Sequence, residues 1–143
     1  MTKEQKDLIS KSLEENKFAV ITTNSSIGYP SSAIIGFSTD DEGRIIFRSL
    51  SNSRKNQNIK KDGRVSLVVL WDNKEWKTLQ IEGDARLLTK EESLLVEEKH
   101  CQKNKAYEAY KNNELNEYFA VEILWARYCD MTVNPMDVWE IKK

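Results

Sequence analysis

Cysteine and histidine are scarce in this chain of 143 residues, with two of the first and one of the second. Cys101 and Cys129 stand far apart with no paired spacing. That excludes a disulfide framework and a metal centre, and points to a reducing, cytoplasmic setting. No apolar run approaches the ~20 residues of a membrane span. Residues 1–15 are polar and charged, without the apolar core of a secretory leader. A large charge imbalance is absent too, since 22 basic residues meet 23 acidic ones for a formal net charge of −1. The chain as a whole has no pull toward nucleic acid or an anionic membrane. Repeats, low-complexity segments and linkers are also missing, so residues 1–143 are expected to form one domain with its own core. No set of acid, base and nucleophile stands out. His100-Cys101 lacks a second ligand and a partner base at useful spacing, and reads as an exposed pair on a polar helix.

What the chain does have is concentrated charge. Residues 44–64 hold seven cations, Arg44, Arg48, Arg54, Lys55, Lys60, Lys61 and Arg64, against the single acid Asp62. Around them the sequence reads as strand (44–47), serine-rich turn, short helix (56–61), Asp62-Gly63 turn and apolar strand (65–70). A turn that opens a helix presents free backbone N–H groups and the positive end of the helix dipole. With the hydroxyl of Ser53, the guanidinium of Arg54 and the ammonium of Lys55 added, the turn makes a seat for one phosphate. It is a single turn without interleaved aromatics for base stacking, so it does not read as a nucleic-acid surface.

The remaining elements follow from periodicity and turn chemistry. Thr2 and Gln5 form a capping box ahead of an amphipathic helix over 3–15, with Leu8, Ile9 and Leu13 on its apolar stripe. Strands are predicted over 17–23 and 31–38, with Gly36 marking a bulge, and a hairpin loop over 39–43. Residues 72–75 turn the chain into a long strand, 76–88, which Gly83 interrupts where a barrel corner would fall. Thr89 and Glu92 cap a helix whose apolar face is Leu94, Leu95 and Val96, and a second short helix is expected within 104–117. A strand running to Met131 and a short one at 138–141 complete the chain, with Asn134-Pro135 between them. Six or seven antiparallel strands with helices at the N-terminus and in one late excursion imply a mainly β (α+β) architecture, a small barrel with peripheral helices. Four tryptophans, Trp71, Trp76, Trp125 and Trp139, are core or interface material in a chain this size.

The run Ile46-Phe47…Ser53-Arg54-Lys55…Arg64-Val65-Ser66-Leu67, followed by Gln80-Ile81-Glu82-Gly83-Asp84-Ala85, resembles the FMN-binding split barrels related to pyridoxamine 5′-phosphate oxidase. The likeness covers roughly residues 15–95 and is nearest the short, general-stress-protein-like members. It implies an antiparallel split barrel and a homodimer with FMN in the subunit interface. By the same resemblance Ser53, Arg54 and Lys55 match the phosphate-binding turn, and Arg48 and Ser49 continue the phosphate and ribityl contacts. Either Thr78 or Gln80 meets the flavin ring edge, Ser32 to Ile35 lies under the ring, and Trp139 either stacks near the flavin or packs in the core. The family's C-terminal arginine–histidine motif for pyridoxamine phosphate is not found in Val133-Asn134-Pro135-Met136-Asp137-Val138-Trp139-Glu140. Two functions are therefore expected side by side. One is an FMN-dependent oxidoreductase acting on a small substrate or nicotinamide donor. The other is a non-catalytic carrier or sensor of FMN, haem or a deazaflavin.

Overall fold

The protein is described by a computed structural model, covering residues 2–69 and 76–143. The expected turn at 72–75, with Leu70 and Trp71, lies outside the described residues. Helix α1 (Lys3–Glu15) starts at the expected capping box, in which Gln5 N donates to Thr2 Oγ1 at 3.1 Å and Thr2 N to Gln5 Oε1 at 2.9 Å. It buries Ile9 and Leu13. Strands β1 (Phe18–Asn24), β2 (Pro30–Thr39) and β3 (Ile45–Leu50) lead into helix α2 (Arg54–Lys61). Then come β4 (Arg64–Val69), β5 (Lys77–Leu87), helix α3 (Lys90–Lys103), a 3-10 helix (Lys105–Tyr110), β6 (Asn116–Asp130) and β7 (Asp137–Lys142).

The strands run in the order β3-β2-β1-β4-β5-β6-β7, every pairing antiparallel. An added β3–β6 pairing closes six of them into a barrel. The length of β6 makes this possible, because Asn116 to Val121 pair with β3 while Trp125 to Asp130 pair with β7. Along β4 and β5 the side chains alternate strictly, with Val65, Leu67, Val69, Leu79 and Ile81 inside. Such alternation is what a sheet with one wet face requires. Phe47 and Phe119, partners across β3 and β6, stack inside the barrel at 5.1 Å. The β5–β6 register shifts between Glu82 and Gly83, so the bend expected at Gly83 is present. Among the described residues no helix is long and apolar enough to cross a membrane.

Two local expectations are corrected and one is refined. Gly36 forms no bulge: it pairs in register with Phe18, and its missing side chain instead admits Tyr107. The short helix expected within 104–117 is present at Lys105–Tyr110, but as a 3-10 helix. The second correction concerns α3. Leu94 and Leu95 are exposed, Leu95 at 84%, whereas His100 and Cys101 are buried. The face that docks on the barrel is Val96, His100 and the capping residue Asn104, four residues apart as a helix stripe demands. Two of these three are polar, so an apolar pattern could not reveal the face.

Candidate functional site

Strand β3 ends at Leu50 and the chain turns through Ser51 to Ser53, with Ser53 N donating to the Leu50 carbonyl at 2.9 Å. Ser53 has the extended backbone of an N-cap, but its hydroxyl does not cap α2. It donates instead to Asn56 Oδ1 at 2.7 Å and lies 3.2 Å from the Ser49 hydroxyl. The first N–H groups of α2 are thus left without a side-chain cap, at the positive end of the helix. Buried side chains fix the helix from below. Asn56 Nδ2 donates to Glu117 Oε1 at 3.1 Å, Asn58 Nδ2 to Thr23 Oγ1 at 3.0 Å, and Lys60 pairs with Glu117 at 2.8 Å.

Beside this turn opens a cleft of about 270 Å³. It is lined by Ile34 and Ile35 of β2, Arg48, Ser49 and Leu50 of β3, Lys55 of α2, Tyr107 and Tyr110 of the 3-10 helix, Asn113, and Asn116 at the start of β6. Burial lowers the pKa of Lys55, because the walls strip water from its ammonium. An anion at this position replaces the lost solvation.

The seven cations of residues 44–64 do not act as one patch. Arg44 pairs with Asp40 at 2.7 Å, Lys60 with Glu117, and Arg64 with Asp62 at 2.8 Å. Arg48 is buried, donating through Nη2 to the Tyr107 carbonyl at 2.7 Å. Arg54, Lys55 and Lys61 make no ion pair among the described residues, and two of these three stand in the first turn of α2.

Of the residues expected at a site, Arg48, Ser49 and Lys55 line the cleft, and Ser53 and Arg54 stand at its helix. Thr78 and Gln80 project from the outer face of β5. A register row joins Gln80 to the cleft: Ile34 pairs with Val20, Val20 with Val68, Val68 with Gln80. Three strand spacings make this roughly 14 Å along the barrel wall. Trp139 is not brought to this face. It pairs with Tyr128 and stacks on it at 5.3 Å, against the barrel core, on the side of the sheet opposite Gln80. Tyr107, Tyr110, Asn113 and Asn116 were not anticipated. The only hint was Tyr107 and Tyr110 at helical spacing in a polar stretch.

His100, expected to be exposed, is fully buried against the outside of the barrel. Its Nδ1 lies 2.9 Å from Ser38 Oγ, and its ring stacks on Tyr107 at 5.1 Å and meets Tyr118 edge-on at 5.7 Å. Burial, with Arg48 and Lys103 nearby, brings its pKa down to about 4. Burial also raises that of the Cys101 thiol, so neither group is an activated nucleophile or base at neutral pH.

The family profile described as pyridoxamine 5′-phosphate oxidase matches residues 1–137. The chain belongs to the pyridoxamine 5′-phosphate oxidase family. No curated protein matches it in sequence. Among solved structures it is similar to a protein related to general stress protein 26 from Clostridium acetobutylicum, with TM-score 0.75 and 15% identity over 99% of this chain and 96% of that one. It is similar also to a pyridoxamine 5′-phosphate oxidase-related, FMN-binding protein from Nostoc punctiforme, with TM-score 0.74 and 9% identity over 99% and 90%. A heme-binding protein from Mycobacterium smegmatis matches with TM-score 0.76 and 13% identity, over 92% of this chain and 56% of that one. Matches from Agrobacterium tumefaciens and Campylobacter jejuni are likewise longer proteins, of which this chain covers 57% and 61%. At these identities the likeness carries the split-barrel fold alone; of these neighbours, the Nostoc protein is described as FMN-binding and the Mycobacterium protein as heme-binding.

Proposed function

We propose that this family member is an FMN-binding flavoprotein, homodimeric and cytoplasmic, that exchanges electrons with a small substrate or nicotinamide donor. The observation that carries the reading is the uncapped start of α2 beside half-buried Lys55 and exposed Arg54, at the mouth of the cleft. This donor set fits a phosphate monoester: backbone N–H groups, the Ser49 and Ser53 hydroxyls and two cations without carboxylate partners. On this reading Arg54 and Lys55 hold the phosphate, Ile34 and Ile35 flank the ring, and Gln80 or Thr78 meets its polar edge. Bound FMN supplies the electron chemistry, and the chain's own residues bind it, orient it and exclude water. A second copy covers exposed apolar residues of neighbouring strands, Phe18, Ile34 and Val68, which one barrel leaves open. Two unpaired cysteines support a reducing compartment.

The carrier or sensor reading has one observation of its own, a cleft lined by no carboxylate and no histidine among the described residues. Haem is the less supported ligand for it, because His100, the chain's one histidine, is sealed against the barrel.

FMN titration against riboflavin tests the reading. FMN is expected to bind the tighter, and Arg54→Ala to weaken FMN by about 10- to 100-fold, the worth of one charge-assisted contact. Equal binding of the two flavins overturns the phosphate seat. Sedimentation at micromolar concentration is expected to give a dimer, and a monomer counts against the shared site. Anaerobic mixing of the FMN-loaded protein with a nicotinamide donor or a reduced deazaflavin is expected to bleach the flavin. Bleaching by neither favours the carrier, and rapid bleaching by pyridoxamine phosphate restores the parent activity.

A further inference from the structure

Arg48 stands at the end of β3 among residues that suit a phosphate, yet its guanidinium points another way. Its side chain is buried, with Nη2 donating to the Tyr107 carbonyl at 2.7 Å and Nη1 reaching Cys101 Sγ at 3.9 Å. Its Cζ lies 4.9 Å from the centre of the Tyr107 ring. Tyr107 is held at its other end as well. The Gly36 N–H donates to its hydroxyl at 3.2 Å, and a Cβ added to Gly36 would stand 2.7 Å from that oxygen. Asn104 Nδ2, just before the 3-10 helix, donates to the Phe37 carbonyl at 3.0 Å. These contacts pin the 3-10 helix on β2 and β3, and that helix brings Tyr107 and Tyr110 to the cleft opposite Ser49 and Lys55.

We propose that Arg48 is a positioning residue: it ties the 3-10 helix to the barrel, sets the far wall of the cleft, and does not itself ligate the phosphate. A buried guanidinium with a short bond to a carbonyl is not free to turn. Swinging out toward an anion would leave that carbonyl unpaired and break the stacking on Tyr107. The cleft is therefore shaped by Arg48 and charged by Arg54 and Lys55. The proposal takes its ligand from the FMN reading above, but the tether itself does not depend on it.

Two variants test it. Arg48→Met keeps the length of the stem and removes the fork. Gly36→Ala pushes on the Tyr107 hydroxyl from the opposite side and changes no charge. Amide hydrogen exchange over residues 105–110 is expected to speed up at least about tenfold in Arg48→Met, the scale of one lost charge-assisted bond, and about two- to tenfold in Gly36→Ala, the scale of one neutral bond. The ratio of FMN to riboflavin affinity is expected to stay within about threefold of the parent protein in both, while Lys55→Ala lowers it about tenfold or more. Unchanged exchange in the variants, or a ratio that falls further in Arg48→Met, overturns the proposal. If Arg48→Met does not fold, Gly36→Ala decides on the same two readouts. If the parent protein binds FMN and riboflavin equally, the FMN reading fails and the exchange measurement alone decides the tether.

Discussion

Asn56 and Glu117, sixty-one residues apart in sequence, are joined by a bond of 3.1 Å from the Asn56 amide to Glu117 Oε1. The same carboxylate takes Lys60 on its other oxygen at 2.8 Å. One acid on β6 thereby holds both turns of α2 and fixes where its N-terminus points. Glu117→Ala leaves the fully buried Asn56 amide short of an acceptor. It is expected to destabilise the fold by about 1.5–3 kcal/mol. Urea unfolding measures this as a lower midpoint at unchanged slope. A shift too small to measure would show that α2 is held elsewhere.

Lys55 predicts how ligand affinity depends on pH. Desolvation sets its pKa below the ordinary 10.5, so it loses its charge at lower pH than a surface lysine. A bound phosphate favours the charged form, so FMN affinity is expected to fall as pH rises through the lowered value. Isothermal titration across the alkaline range should show that fall in the parent protein. Lys55→Ala should flatten it and start from weaker binding.

His100 predicts how stability depends on pH. Its folded value of about 4 lies below the ordinary 6.5, because burial beside Arg48 and Lys103 disfavours the imidazolium. The unfolded chain therefore takes up the proton first as pH falls. Stability from this group is complete above about 6.5, declines down to about 4, and is level below that. The loss is roughly 3 kcal/mol at about 1.4 kcal/mol per unit. Glu92, held at about 2 by its bonds to Arg86 and the Thr89 backbone, works in the same direction but only below the ordinary carboxylate value of 4.5. Thermal unfolding between pH 7 and 5 thus isolates the histidine. His100→Asn, whose amide can still meet Ser38, is expected to be less stable at pH 7 and nearly independent of pH in that window.

Gly83 predicts the cost of straightening a corner. A Cβ there would collide with the Glu122 carbonyl oxygen and crowd Val121, both on the neighbouring strand. Backbone cannot step aside as a flexible side chain can. Gly83→Ala is expected to destabilise the fold by about 1–3 kcal/mol, the usual range for overpacking. Chemical denaturation checks it, and a neutral result would mean that the β5–β6 bulge relaxes freely.

Much of this was legible from residues alone. The apolar run from Val65 and the long strand interrupted at Gly83 mark β4 and β5, since apolar and β-branched runs bounded by turns suit strands. The inside face was set by the fold, with Val68 exposed between buried Leu67 and Val69. The capping boxes at Thr2 and Thr89 fix two helix starts because the bonds that make them are local. The turn Ser53-Arg54-Lys55 was readable as one that opens a helix for the same reason. What could not be read was the partner of a charge whose acid lies far along the chain. Arg44 and Arg64 have their carboxylates, Asp40 and Asp62, within four residues, but Lys60 looks equivalent to Arg54 and Lys55 in sequence and differs only because folding brings Glu117 to it.

The sequence by itself determined the strands, the bend at Gly83, the cap of each long helix and the position of the basic turn, since these depend on neighbours a few residues away. Only the tertiary structure decided that Arg48 serves the 3-10 helix, that His100 is buried while Leu95 is exposed, and that Trp139 and Gln80 face opposite sides of the sheet. Each of these rests on a contact across the closed barrel or with the excursion between β5 and β6. A pairing between distant segments leaves no period in either of them.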